Sequence, residues 1–202
     1  MLVYGGQSTS ITPLNDAATL SISGTTDTWT TVASPGIDGR FFSIPMLSGS
    51  SGSTVTFMNG GSSTSSPTYA RADGATFDPA TGSWTTITAP STTILPNPTR
   101  VFGSAWFGGG KVHVWGGGYQ YSGIGYLYYI SSPSSAISYC NSSYAQGTGA
   151  YYDVATSTWV AMPSSGAPSA RCFPTTVWTG SEAIIFGGYS STYLRDGKIY
   201  RP

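Results

Sequence analysis

The amino-acid sequence predicts an all-β fold made of repeated units of four short strands. Three observations predict it. No stretch carries the 3.6-residue apolar period of a helix. Short apolar runs alternate throughout with turns rich in Gly, Pro, Ser and Thr. An apolar run ending in a glycine pair returns four times: Leu2-Val-Tyr-Gly-Gly6, Val55-Thr-Phe-Met-Asn-Gly-Gly61, Val112-His-Val-Trp-Gly-Gly117 and Ala183-Ile-Ile-Phe-Gly-Gly188.

Each unit can be followed in order. After three of the glycine pairs comes a strand, a polar turn and a tryptophan. The clear copies are Gly74-Ala-Thr-Phe-Asp-Pro-Ala-Thr-Gly-Ser-Trp84 and Gly149-Ala-Tyr-Tyr-Asp-Val-Ala-Thr-Ser-Thr-Trp159. A degenerate copy, from Ala18 to Trp29, lacks the aromatic-Asp pair. Beyond each tryptophan a Pro/Gly loop leads to an arginine and a new apolar strand. These strands begin Arg40-Phe-Phe-Ser-Ile, Arg100-Val-Phe-Gly-Ser-Ala-Trp and Arg171-Cys-Phe-Pro-Thr-Thr-Val-Trp. Tight turns at 48–53, 108–110 and 179–181 then lead back to the glycine-pair strand. The unit boundaries fall near 1–35, 36–90, 91–165 and 166–202, within one domain spanning 1–202. The count is fourteen strands, with the first and last units each one strand short.

The order of strand, Gly-Gly, aromatic-Asp strand, Trp strand and Pro-x-x-Arg resembles the kelch repeat, and the run from Gly149 to Gly188 resembles bacterial kelch-like proteins in particular. The resemblance covers essentially the whole chain. It implies a β-propeller of four-stranded blades around a channel, with about four blades visible. It implies no single function. Incomplete end blades leave open edges, so closure as a small ring, pairing with a second copy, and a fragment of a larger propeller all stay open.

Composition excludes several classes of function. Charged residues are 8% of the chain, eight cations against eight acids. That leaves no cationic cluster for nucleic acid or for an anionic membrane surface. No apolar run approaches the roughly 20 residues of a membrane span. His113 is the single histidine, so multi-histidine metal sites are not expected, and neither a metal nor another cofactor is called for. The copper site of the kelch-like oxidases, with its two histidines, cannot be assembled. His113 alternates with Val112 and Val114 on an inner strand and is read as structural. No catalytic residue is assigned.

Recurrence separates structural residues from special ones. Trp29, Trp84 and Trp159 are expected to pack between blades. Arg40, Arg100 and Arg171, with Asp16, Asp73 and Asp196 before the third strands, are expected on one rim as an Arg–Asp network fixing loops. Arg100 and Arg171 are also candidates for ligand binding at the channel mouth. What occurs once is the stretch from Gly118 to Gly149, with Tyr119, Tyr121, Tyr126, Tyr128, Tyr129, Tyr139 and Tyr144. Tyrosine joins a flat apolar face to a hydroxyl, which suits sugar rings or a protein partner. Cys140 in this loop and Cys172 on the next unit are expected to form a disulfide, as in an oxidising compartment. Asn141-Ser-Ser143 is an N-glycosylation sequon.

The chain therefore reads as a non-catalytic binding module, extracellular or in the cell envelope, with a glycan or protein partner at the loop rim. Two alternatives are a sugar-processing enzyme similar to sialic acid mutarotases, and a structural repeat segment of a surface filament or adhesin that self-associates through open edges. Met1 to Gly6 lacks the features of a signal peptide, so a removed leader or a longer parent protein is expected.

Overall fold

A computed structural model describes residues 1–8, 12–61, 70–119, 140 and 142–202. The chain is all-β, with antiparallel strands and, among the described residues, one short 3₁₀ turn at Ser50–Gly52. The first sheet holds β1 (Leu2–Tyr4), β2 (Ala17–Ile22) and β3 (Asp27–Val32). The second holds β4 (Ile44–Ser48), β5 (Thr54–Met58), β6 (Gly74–Asp78) and β7 (Ser83–Ile87). The two-residue strands β8 (Arg100–Val101) and β11 (Gly118–Tyr119) pair with each other. The third sheet runs β9 (Ser104–Gly108), β10 (Lys111–Trp115), β12 (Gly149–Asp153), β13 (Thr158–Ala161). The fourth is β14 (Thr175–Trp178), β15 (Ala183–Phe186), β16 (Gly197–Tyr200). Three, four, four and three strands is the grouping expected from the repeats. The β8–β11 pair was not expected.

The core lies between successive sheets. Tyr4, Ala17 and Phe57 fill the gap between the first and second. Met58, Ile87, Leu95, Val112, Val114 and Ala150 fill the next. Trp106, Trp115, Met162, Ala183 and Ile185 fill the last. The leading strands lie in series, β4 against β9 and β9 against β14.

Tryptophans stitch the sheets together, because an indole N–H buried against a neighbour needs an acceptor. Trp84 Nε1 donates to Ala33 O at 2.7 Å, and Trp159 Nε1 donates to Thr88 O at 2.7 Å. Each acceptor follows the last strand of the preceding sheet. Trp29 departs from the expected packing role and is 54% exposed. It sits on the first sheet, which has no described sheet before it to receive an indole.

Candidate functional site

The local geometry that organises one rim is set by the glycine pairs. Gly5, Asn59, Gly116 and Gly187 have φ of 68, 57, 70 and 68°, and the next residues, Gly6, Gly60, Gly117 and Gly188, have φ of 105, 101, 87 and 101°. Residues with a Cβ resist this conformation, which explains the glycine pair in three units; in the second unit the turn falls on Asn59 and Gly60 and not on Gly60 and Gly61, asparagine being among the side chains that tolerate it best. The turn exposes a backbone amide to the opposite strand. Gly5, Asn59, Gly116 and Gly187 N–H donate to Asp16, Asp73, Thr148 and Asp196 O at 3.0, 3.1, 3.2 and 3.0 Å.

Into three of these turns an arginine inserts. Arg40 Nη1 donates to Asn59 O at 3.2 Å and Asp73 O at 3.0 Å, and Nη2 to the Asp73 carboxylate at 3.1 Å. Arg171 Nη1 donates to Gly187 O at 2.9 Å and Asp196 O at 3.1 Å, and Nη2 to the Asp196 carboxylate at 3.2 Å. That donation, more than the charge itself, holds the Asp196 carboxyl below its ordinary range. Arg100 donates to Gly116 O at 3.3 Å and Thr148 O at 2.7 Å, but its third partner is the Thr148 hydroxyl at 2.7 Å, not a carboxylate. Burial lowers the Arg100 pKa to about 10, so it stays charged at neutral pH.

The guanidinium groups are spent on the fold. Arg40, Arg100 and Arg171 are 0, 2 and 0% exposed. Arg100 and Arg171 therefore present no donor to a ligand, which corrects their assignment to ligand binding. Their loop-fixing role is observed, with two carboxylates and one hydroxyl as partners. Asp16 stands in the same turn of the first sheet and is exposed.

The same turns place a set of aromatic rings that sequence reasoning missed. Phe42, Phe102 and Phe173 follow Arg40, Arg100 and Arg171 by two positions, and all three have positive φ, at 54, 60 and 54°. Left-handed backbone at a bulky residue costs roughly 1–3 kcal/mol and persists only where the surroundings enforce it. Here the socketed arginine and the pairing of the next residue enforce it, as Phe41 with Gly61 and Cys172 with Tyr189. The rings form a row, Phe42 to Phe102 at 5.8 Å and Phe102 to Phe173 stacked at 4.5 Å. Phe42 and Phe173 are exposed. The signal was present as Arg-x-Phe in three units.

The row continues into the tyrosine-bearing rim. Cys140 and Cys172 are disulfide-bonded with their Cα atoms 5.9 Å apart, which ties the long loop to the fourth unit as expected. Phe102 and Tyr189 pack on the bridge, and Tyr189 meets Tyr193 at 5.3 Å. Tyr119 and Tyr144 contact edge-to-face at 6.0 Å. Tyr121, Tyr126, Tyr128, Tyr129, Tyr139 and Asn141 lie outside the described residues.

His113 is buried in an aromatic stack, as its structural reading required. Its ring lies 4.8 Å from Trp106 and 4° from parallel, with Tyr151 and Tyr200 at 5.6 and 5.7 Å. Burial pushes its pKa down to about 4, so it is neutral at physiological pH. No helix among the described residues is long and apolar enough to cross a membrane.

No protein-family profile matches the chain, and no curated protein shows significant similarity to it.

Proposed function

We propose that the chain is a kelch-type β-propeller module, secreted or at the cell surface, that binds a glycan or protein partner through the aromatic rim. The observation that carries this reading is the row Phe42, Phe102 and Phe173. Three repeats hold a strained backbone at the same turn, with the rings of Phe42 and Phe173 exposed and that of Phe102 half-buried between them, and such strain clusters at binding sites. Rings on a neutral surface suit the apolar face of a sugar ring or an apolar protein side chain. The disulfide fits an oxidising compartment and ties Cys140 to the fourth unit, where Phe102 and Tyr189 pack on the bridge. Serially packed sheets of three, four, four and three strands are consistent with blades. The test is binding of the intact chain to an array of neutral and acidic glycans, repeated with Phe42→Ala/Phe173→Ala. Loss of binding with an unchanged far-UV spectrum supports the rim. Retained binding overturns it, and no glycan binding by the unaltered chain directs the reading to a protein partner.

A second reading, a repeat segment that assembles with its own kind, is favoured by Val177, Ile184, Phe186 and Ile199, all exposed on the fourth sheet. Light scattering across concentration distinguishes the two readings, since a monomer excludes assembly.

A further inference from the structure

We propose that the free edge of β1 is an acceptor site for an arginine-led extended segment, which adds to the first sheet as a strand and seats its guanidinium on Asp16. In the other three units the residue four positions after the arginine pairs with the last residue before the glycine turn: Ile44 with Met58, Ser104 with Trp115, Thr175 with Phe186. The residue one after the arginine pairs three positions beyond that strand, as Phe41 with Gly61, Val101 with Gly118 and Cys172 with Tyr189. The matching positions in the first sheet are Tyr4 and Gln7. Tyr4 and Gln7 have no such partner strand among the described residues, and β1 is the outer strand of its sheet.

The chemistry at this edge is complete on the acceptor side. Gly5 and Gly6 hold the same left-handed turn as the other three units. The Gly5 amide already donates to Asp16 O at 3.0 Å, so the Gly5 and Asp16 carbonyls stand where Arg40 and Arg171 find theirs. Asp16 stands at the repeat position of Asp73 and Asp196, its backbone carbonyl accepting the same glycine-turn amide. None of the ion pairs among the described residues uses its carboxylate. No arginine lies at 9–11, 62–69, 120–139 or 141, so none there can fill the site.

The edge has a defined register. Met1 N and O both bond Leu20, and Gly5 N–H bonds Asp16, so Val3 also faces β2. By the antiparallel alternation, Leu2 and Tyr4 direct their amides and carbonyls outward. An incoming strand numbered from its arginine places its fifth residue against Tyr4 and its seventh against Leu2. Main-chain bonds to such an edge supply affinity, and the arginine supplies specificity.

The test titrates the full chain with a synthetic peptide of residues 38–48, the segment that fills the corresponding place in the second sheet. Saturable binding is expected, about tenfold weaker for the peptide carrying Arg40→Ala, as befits loss of a charge-assisted pair. In the Asp16→Asn protein the difference between the two peptides should shrink, because the carboxylate is lost while the Gly5 and Asp16 carbonyls remain. This variant leaves the backbone bond of Asp16 in place. Amide exchange at Leu2 and Tyr4 should slow on peptide addition while Val3 is unchanged. Absence of saturable binding at about 1 mM, which corresponds to only about 4 kcal/mol, overturns the proposal. So does equal binding of both peptides to the unaltered protein. A dimer that excludes the peptide assigns the edge to a second copy and overturns it as well.

Discussion

The second and third sheets share strand order and register, yet they solve the same interior problem with different chemistry. At matching places along β5 and β10 stand Thr56 and His113, both fully buried. In the second sheet Thr56 joins a hydroxyl ladder, 2.7 Å from Ser48 and 2.7 Å from Thr76. In the third sheet Trp106 stands where Met46 does and Tyr151 where Thr76 does, and His113 stacks on Trp106 with Tyr151 tilted against it. The arginine sockets differ in the same way. Arg40 has the Asp73 carboxylate, whereas Arg100 has only carbonyls and the Thr148 hydroxyl. The repeat thus constrains backbone and register tightly and side-chain chemistry loosely. The hydroxyl ladder and the sockets pair their polar atoms, whereas both ring nitrogens of His113 and the Trp106 indole N–H are buried without a hydrogen-bond partner, so ring stacking replaces hydrogen bonding at that site.

Four experiments press on that comparison. The largest effect is expected at the sockets. Arg40→Met leaves two carbonyls and a carboxylate without their donor, and should cost about 3–5 kcal/mol. Arg100→Met strands no carboxylate and should cost less, which urea midpoints on the two variants would compare. Equal losses would show that the carboxylate contributes nothing. Next is acidification. Because the folded pKa of His113, about 4, lies below its unfolded value near 6.5, its contribution to stability is intact above pH 6.5. It is lost as pH falls toward 4, by about 3 kcal/mol in all. His113→Phe should flatten the pH dependence of stability across that window, and an unchanged slope would assign the loss elsewhere. Thr56→Val breaks the hydroxyl ladder and should cost roughly 1–2 kcal/mol by leaving Ser48 and Thr76 short of a partner. The smallest effect is a gain. Thr148→Asp gives Arg100 the carboxylate its counterparts have, and should stabilise by roughly 1 kcal/mol. Since its carboxyl would titrate below the ordinary range when folded, the gain should be present above about pH 4 and fade as pH falls further. Thermal unfolding at pH 7 and pH 3 would check both parts.

Much of the fold was legible because its signals are local and repeated. The glycine pair marks the left-handed turn in three units, and in the second the turn falls one residue earlier, on Asn59 and Gly60. The disulfide was legible from connectivity that brings Cys140 and Cys172 to neighbouring units. The role of the arginines was readable only in part. Recurrence identified Arg40, Arg100 and Arg171 as a set, but their spacing does not reveal that every guanidinium is turned inward. Burial distinguishes a socketed arginine from a ligand-facing one, and burial depends on distant segments, such as the one that presents Thr148, 48 positions away, to Arg100. The Phe42, Phe102 and Phe173 row was missed for a related reason. Each phenylalanine reads locally as an inward residue of an apolar strand. The left-handed backbone turns it outward, and that turn follows only once the arginine is seated. Trp29 shows the converse. Its sequence context matches Trp84 and Trp159, and its exposure reflects the sheet it lies on.

The sequence by itself determined the strand content, the four-fold recurrence, the turns and the poverty of charge and histidine, because each of these is fixed by residues within a few positions of one another. Only the tertiary structure decided which recurrent side chains are consumed in holding the sheets and which are left facing solvent. That division depends on contacts between distant segments, where a buried charge must find its partners before any surface can be offered to another molecule.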